Sequence, residues 1–498
     1  FYKLIEKGYL YMKGNSIIGK IIDQESLLHK LLTYGVALVL IVVCFIISSS
    51  SEEINPATGT IIVVFLFYYA VLSRRILETL IFGSVMGMAL VYGHGGTNGF
   101  IEGLQEMVYG VMMSEDFVWM IINCDLLNVF VVLLAKAGST GSFSKIVTKN
   151  AKSAKTLNLW TWFMQIPMFF DDCMHITVNS GIMMPIYDSK NVPREEGAFL
   201  IQTLGEPIRV LFPISSWTAF MAGIFVVDGF ANTYSEGLMA FIKTIPFSFY
   251  AWVSVIGALL FALGLLPKFG NIKNPDKSVY KEIEGIEEND SKKHGNLFDF
   301  FMPIFAMIGL SYVFEWDLVP AMLIVVPLTF VYYMIRGIIG TAEVEESFIQ
   351  GCEEFTQLNL LVLFSYILGT VIEEIGYTGY LVEIAQGFAN PKLLPFVLFV
   401  IFCVSEAAMS LNWNLLLIAF PVVLPLAVQL GANPYMCAAA MISAGAFGNN
   451  FCYICDFTSL TSTACGLPPA YQAKNCLPYA LIFAGITAIL YLVCGFIF

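Results

Sequence analysis

Apolar runs long enough to enter or cross a lipid bilayer recur from residue 31 to residue 498, and they constrain the fold more than any motif does. They cover 31–48, 58–72, 76–92, 117–136, 157–187, 198–227 and 244–266, and then 298–314, 318–335, 355–372, 393–430, 434–463 and 477–498. A helix needs roughly 20 apolar residues to span a hydrocarbon core of about 30 Å. Lipid offers no partner for an open sheet edge, so the runs predict helices. Composition agrees, with 58% hydrophobic and 13% charged residues, against about a quarter charged in a soluble domain. The expected fold class is an all-α polytopic membrane protein. The charged stretch before residue 31 lacks the apolar core and cleavage site of a signal peptide.

The run lengths repeat in order from 58 and from 298, each series with a short amphipathic piece after its second run, at 100–113 and 343–351. Between them, 268–296 is polar and reads as a flexible linker. The expected organisation is an N-terminal segment with a first transmembrane helix (1–57), repeat 1 (58–267), a cytoplasmic linker (268–297) and repeat 2 (298–498). KAGSTGSF at 136–143 aligns with EIGYTGYL at 374–381, an offset of 238 that sets Asp172 opposite Ser410 and Trp217 opposite Cys455. Internal duplication is common in secondary transporters.

Two full crossings need about 40 residues, but 157–187 has 31. It and its counterpart 393–430 are therefore expected to be re-entrant hairpins, leaving about 11 transmembrane helices in two inverted repeats. With a cytoplasmic N-terminus and the C-terminus outside, 22 Lys and Arg fall on the inner side and only Lys243 and Lys392 outside. That split follows the positive-inside rule.

Between the arms of the first hairpin stand two acids, in FFDDCMHITVNSG at 169–181. A carboxylate at membrane depth is costly unless compensated, so it marks a functional site by default. Asp171, Asp172, His175, Thr177 and Asn179 would offer an oxygen-rich pocket to a hard cation such as sodium, while one Asp of the pair would cap the second arm. Downstream, Pro207 and Pro213 interrupt helical bonding in 199–220 and free carbonyls. Ser215, Ser216 and Trp217 follow. Glu206 and Arg209, three apart, either pair on one helix face or leave Arg209 to bind a substrate carboxylate. In the second half Asn412 lies at the second tip, and Asn449, Asn450, Asp456, Thr458 and Ser459 stand in GNNFCYICDFTSLTST. There the alternative is hydroxyls bonded to their own helix. Asp172 and Asp456 are the candidate sodium ligands.

Other features weigh less. Glu406 precedes the second tip, and Glu373 and Glu374 sit at a membrane end. Eleven cysteines are mostly scattered in apolar runs, as small buried hydrophobes are. Cys452 and Cys455 form one close pair without a second at zinc-finger spacing. GHGGTNG at 93–99 lacks the Lys-Ser or Lys-Thr of a phosphate loop and reads as an external turn.

FFDDCMHITVNSGIMMPIYDSKNVPREEGAFLI (169–201), LFPISSWTAF (211–220), SAGAFGNNFCYICDFTSLTSTACG (443–466) and LPYALI (477–482) resemble the NhaC-type sodium/proton antiporter family over most of the chain from about 58 onward. The resemblance implies the ion-transporter superfamily plan of inverted repeats, each with a re-entrant hairpin and a broken helix. It places Asp171, Asp172, Ser215, Ser216, Trp217, Asp456 and Thr458 at matching motif positions. The chain departs from that pattern in having Gln202 where the family has Asp, and Asn449 and Asn450 where it has Asp-His. His175 replaces Asn, and Glu206 and Arg209 replace small residues.

The expected function is a sodium-coupled secondary active transporter, by default Na+/H+ antiport across the plasma membrane. The alternative is Na+-coupled transport or exchange of an amino acid or small organic carboxylate, with Arg209 as carboxylate ligand. The chain carries no HExxH or GxSxG and only four His, so no enzyme is expected. No cofactor is expected beyond sodium as coupling ion. The expected partners are Na+, H+ or a small organic solute, the lipid bilayer and a second copy in a homodimer, and no nucleic acid.

Overall fold

The computed structural model describes residues 26–50, 54–73, 75–137, 147–169, 172–227, 230–281, 295–314, 318–385, 390–409, 414–451 and 455–498. These residues fold into helices joined by short turns, and no strand is formed among them. In chain order the first five are α1 (Leu27–Ser50), α2 (Gly59–Ser73), α3 (Ile76–Tyr92), α4 (Gly96–Met112) and α5 (Glu115–Lys136). The glycine-rich stretch read as a turn is a 3-10 turn only over Gly93–Gly95; Gly96–Gly99 already open the amphipathic α4.

The run 157–187 divides into α6 (Ala154–Gln165) and α7 (Asp172–Ser189), which pack on each other. The run 198–227 divides into α8 (Arg194–Leu211) and α9 (Ser216–Ile224). The break has a local cause. Pro213 disfavours helical backbone at the residue before it, and Phe212 is extended at φ −94° and ψ 131°. Ser215 then caps α9, its Oγ accepting from Thr218 N at 3.1 Å.

Next come α10 (Tyr234–Thr244) and α11 (Phe249–Ala262), which with the intervening turn make an apolar pair bent by 50°. The second half holds α12 (Leu297–Val313), α13 (Leu318–Arg336), α14 (Thr341–Glu374) and α15 (Tyr377–Ala385). It continues with α16 (Leu394–Met409), α17 (Asn414–Gln429), α18 (Pro434–Phe451), α19 (Asp456–Ala464) and α20 (Pro469–Ile497). Four unbroken helical stretches among the described residues are long and apolar enough to cross a bilayer: Leu27–Ser50, Ile76–Met112, Val319–Arg336 and Pro469–Ile497. The bent pair makes a fifth. The chain is an all-α polytopic membrane protein.

Helix boundaries recur 240 residues apart. Arg194 and Leu211 bound α8, and Pro434 and Phe451 bound α18; Ser216 and Ile224 bound α9, and Asp456 and Ala464 bound α19. The left-handed residues that follow α7 and α17, Asn191 at φ 54° and Gly431 at φ 73°, keep the same spacing. The spacing over this stretch is thus two residues longer than the 238 read from the sequence. It pairs Asp172 with Asn412 and Ser215 with Cys455, and Cys455 caps α19 as Ser215 caps α9, its Sγ accepting from Thr458 N at 3.3 Å.

Packing groups the chain into two units. In the first (Phe1–Ser114, Leu360–Phe388 and Leu417–Leu430), α3 packs against α1 and α2. The second (Glu115–Asn359, Ala389–Leu416 and Gly431–Phe498) has α8 at its core, packed against α6, α7, α11, α19 and α20.

The segment 268–281 is not a free tether. Three buried residues at the start of α8 hold it. Lys268 Nζ donates to Glu196 Oε1 at 2.5 Å, Tyr280 donates to Glu195 Oε2 at 2.6 Å, and Arg194 Nη1 donates to the Lys281 carbonyl at 2.8 Å. Arg194 also pairs with Asp188 through two bonds of 2.8 and 2.7 Å. Residues 282–294 of the expected linker lie outside the described residues.

Candidate functional site

Every residue of α8 from Arg194 to Val210 is buried. Its polar side chains therefore need partners inside the protein, because an unpaired polar group in a dry interior is costly. Gln202, Glu206 and Arg209 follow one another at helical spacing on one face. Gln202 Nε2 donates to Thr458 Oγ1 at 2.6 Å and to the Asn449 carbonyl at 3.1 Å. Gln472 of α20 donates to Gln202 Oε1 at 2.9 Å. One turn along, Asn449 Nδ2 donates to Glu206 Oε2. The two broken helices, α8/α9 and α18/α19, are thus joined by buried side chains.

Of the two readings for Glu206 and Arg209, the side chains show neither a simple mutual pair nor an open cation. Glu206 bonds Asn449, and its Oε1 has no hydrogen-bond partner. Arg209 Nε donates to the Gly205 carbonyl at 3.2 Å, and its guanidinium carbon lies 5.9 Å from the centre of the Phe457 ring. That distance is within reach of a cation–π attraction. Gly205 makes the crossing possible. A Cβ there would sit 2.4 Å from Phe457 Cζ and 3.3 Å from His175 Cδ2.

The other residues singled out by sequence scatter. His175 is fully buried on α7, its Nε2 3.3 Å from the Ile201 carbonyl; since a carbonyl only accepts, that nitrogen carries the hydrogen. Asn179 ties α7 to α6, donating to Gln165 Oε1 at 3.0 Å and to the His175 carbonyl at 2.8 Å. Thr177 is exposed. Asn450 donates to Tyr250 of α11 at 3.1 Å. Ser215 caps α9, and Trp217 is buried with its ring edge-on to Phe220. Thr458 is central. Glu406 is buried on α16 against α18, where a Cβ on Gly448 would lie 3.0 Å from its Oε2. Asp171 and Asn412 lie outside the described residues, as does Cys452. Asp172, Ser216 and Asp456 are the first residues of α7, α9 and α19.

Gln472 is the participant that sequence reasoning missed. It lies before the apolar run of 477–498, in a stretch that reads as a polar helix start, yet it is fully buried. Cys455 is a helix cap, its Sγ accepting from Thr458 N at 3.3 Å.

The comparisons with known proteins agree with this architecture. Residues 209–496, more than half of the chain, match the Na+/H+ antiporter family. An uncharacterised protein of Haemophilus influenzae is 23% identical over 488 residues, spanning 90% of this chain and 92% of its own. Among solved structures, the chain is similar to MtrF of Neisseria gonorrhoeae, described within a class of antimetabolite efflux pumps, with TM-score 0.56 and 13% identity over 80% of this chain and 84% of that one. It is also similar to the YdaH transporter of Alcanivorax borkumensis, described as having an unusual topology, with TM-score 0.54 and 11% identity over 80% and 90%. At such identities the likeness establishes the fold, that of membrane transporters.

Proposed function

Given that the chain belongs to the Na+/H+ antiporter family, we propose that this membrane transporter exchanges sodium for protons across the cell membrane by alternating access. The carrying observation is the buried polar bridge between two broken helices, Gln202 to Thr458 and Glu206 to Asn449. Interrupted helices free backbone carbonyls for an ion in the way secondary transporters use them. Sodium is assigned to the acidic turn, with Asp172 and Asp456 as ligands. The repeat organisation, with 157–187 and 393–430 as re-entrant hairpins and the N-terminus cytoplasmic, is part of the same reading; the 240-residue recurrence of helix ends supports it.

The test is reconstitution. An outward sodium gradient across proteoliposomes should drive a change in internal pH, read with a pH-sensitive dye, without any added organic solute. No dye signal under any sodium gradient would remove proton exchange.

A second reading is favoured by Arg209, a cation only 2% exposed next to a helix break. There it would bind the carboxylate of an amino acid or small organic acid carried with sodium. Arg209→Gln separates the two. Under proton exchange the dye signal should stay within about twofold of wild type, because a shift of that size is under ~0.5 kcal/mol. Under carboxylate transport, uptake of labelled acid should vanish.

A further inference from the structure

We infer that Glu206, Asn449 and the backbone of α8 form a binding site for a monovalent alkali cation, with ligands other than Asp171 and Asp172. The inference rests on the reading that transport is coupled to sodium, and it adds a second ion to that reading.

Glu206 is fully buried in the middle of a helix with no exposed face. Its hydrogen bond comes from the neutral amide of Asn449, which adds no positive charge to compensate the carboxylate. Because a carboxylate only accepts, Asn449 must turn Nδ2 toward it, which fixes the amide and sends Oδ1 elsewhere. Both leftover oxygens, Glu206 Oε1 and Asn449 Oδ1, are buried without a hydrogen-bond partner. Two orphaned acceptors on one bonded pair ask for a positive group between or beside them, since an unmatched buried charge is expensive.

The helix supplies a third oxygen. Pro207 has no N–H, so the carbonyl four residues earlier, that of Thr203, loses its usual helical donor. Thr203 lies one turn before Glu206, on the same side of α8. A carboxylate oxygen, an amide oxygen and a freed carbonyl are the donor set that a hard cation takes. The charge count selects its valence. One carboxylate beside a neutral Asn and a neutral carbonyl balances a single positive charge.

The neighbouring charged and titratable groups do not substitute for the ion. Arg209 directs Nε to the Gly205 carbonyl, and its guanidinium carbon lies 5.9 Å from the centre of the Phe457 ring. His175 bonds through Nε2 to the Ile201 carbonyl on the α7 side. Cys455 is engaged as the cap of α19.

The experiment measures binding of radioactive sodium to the purified full chain in detergent, with choline as the inert control cation, for wild type, Glu206→Gln and Asp172→Asn. Gln at 206 still accepts from Asn449 and buries no charge, so the variant should unfold in choline at the wild-type temperature or above. It should bind one sodium ion fewer than wild type. Asn449→Leu keeps the charge but removes the amide oxygen, and sodium affinity should fall about tenfold, the size of one lost favourable contact. A Glu206→Gln chain that binds as much sodium as wild type overturns the inference and leaves the sodium reading intact. Binding of one ion that disappears in Asp172→Asn but persists in Glu206→Gln does the same. If the ion disappears in Glu206→Gln and persists in Asp172→Asn, the site proposed here stands and the acidic turn falls. A wild type that binds no sodium overturns both.

Discussion

Proteoliposomes made with Gln202→Leu should lose sodium-driven transport by at least about a hundredfold while the protein still inserts and purifies. Leucine fills nearly the volume of glutamine, so packing of α8 is kept. What goes is the amide that donates to Thr458 and to the Asn449 carbonyl and accepts from Gln472. Gln472 keeps the Ala198 carbonyl and Thr458 keeps Cys455 Sγ, so the change removes three hydrogen bonds rather than leaving three groups unpaired. At about 1 kcal/mol each, the loss reaches the ~2.7 kcal/mol that corresponds to a hundredfold change. Asn449 would then be free to turn, releasing Glu206. Gln202→Glu is the informative companion: it keeps the acceptor for Gln472 but withdraws both donors, and it should be as inactive as leucine. Transport by either variant within threefold of wild type would show that this bridge is not part of the transport path.

Gly205→Val should be more severe still, yielding little folded protein. The first added carbon would stand 2.4 Å from Phe457 Cζ, 3.2 Å from Phe457 Cε1 and 3.3 Å from His175 Cδ2. Phe457 is only 6% exposed, so its ring has nowhere to retreat. Overpacking of this kind costs about 1–3 kcal/mol per intrusion even after relaxation. Valine adds two further methyl groups to the one clash that alanine brings. Pushing α19 from α8 also stretches the 2.6 Å bond from Gln202 to Thr458. Alanine at 205 should lower the unfolding temperature and reduce transport in proportion; a valine chain as stable as wild type in a thermal unfolding assay would show that α8 and α19 do not meet as described.

The sequence made some of this legible and concealed the rest for identifiable reasons. Apolar run length is a one-dimensional property that lipid imposes directly, so helix content and membrane class could be read without contacts. Pro213 announced the break after Leu211 because its effect is confined to its neighbour. The 238-residue alignment rested on a short matching stretch outside α8, α9, α18 and α19, whose ends keep a spacing of 240. Long-range polar pairing was invisible. Gln202 meets Gln472 across 270 positions, and nothing in either neighbourhood names the other. The segment 268–281 read as flexible because its composition is polar, but the residues that hold it lie far away in the chain: Arg194 to Glu196, and Tyr471, whose hydroxyl accepts from Asp276 N at 3.0 Å. Of the residues singled out for the site, Glu206, Arg209, Asn449 and Thr458 converge around the bridge. His175 and Asn179 bond to the Ile201 carbonyl and to Gln165, while His175 Nδ1 and Asn179 Oδ1 are buried without a hydrogen-bond partner.

The 240-residue recurrence of helix ends sets Arg209 against Asn449, Glu206 against Ala446 and Gln202 against Ile442. The two stretches keep one spacing of helix ends but not the same charges. At these three positions the α8 stretch carries an acid and a guanidinium, while the α18 stretch carries only an amide. Neither stretch can therefore take the other's place, since the acid on one meets the amide on the other.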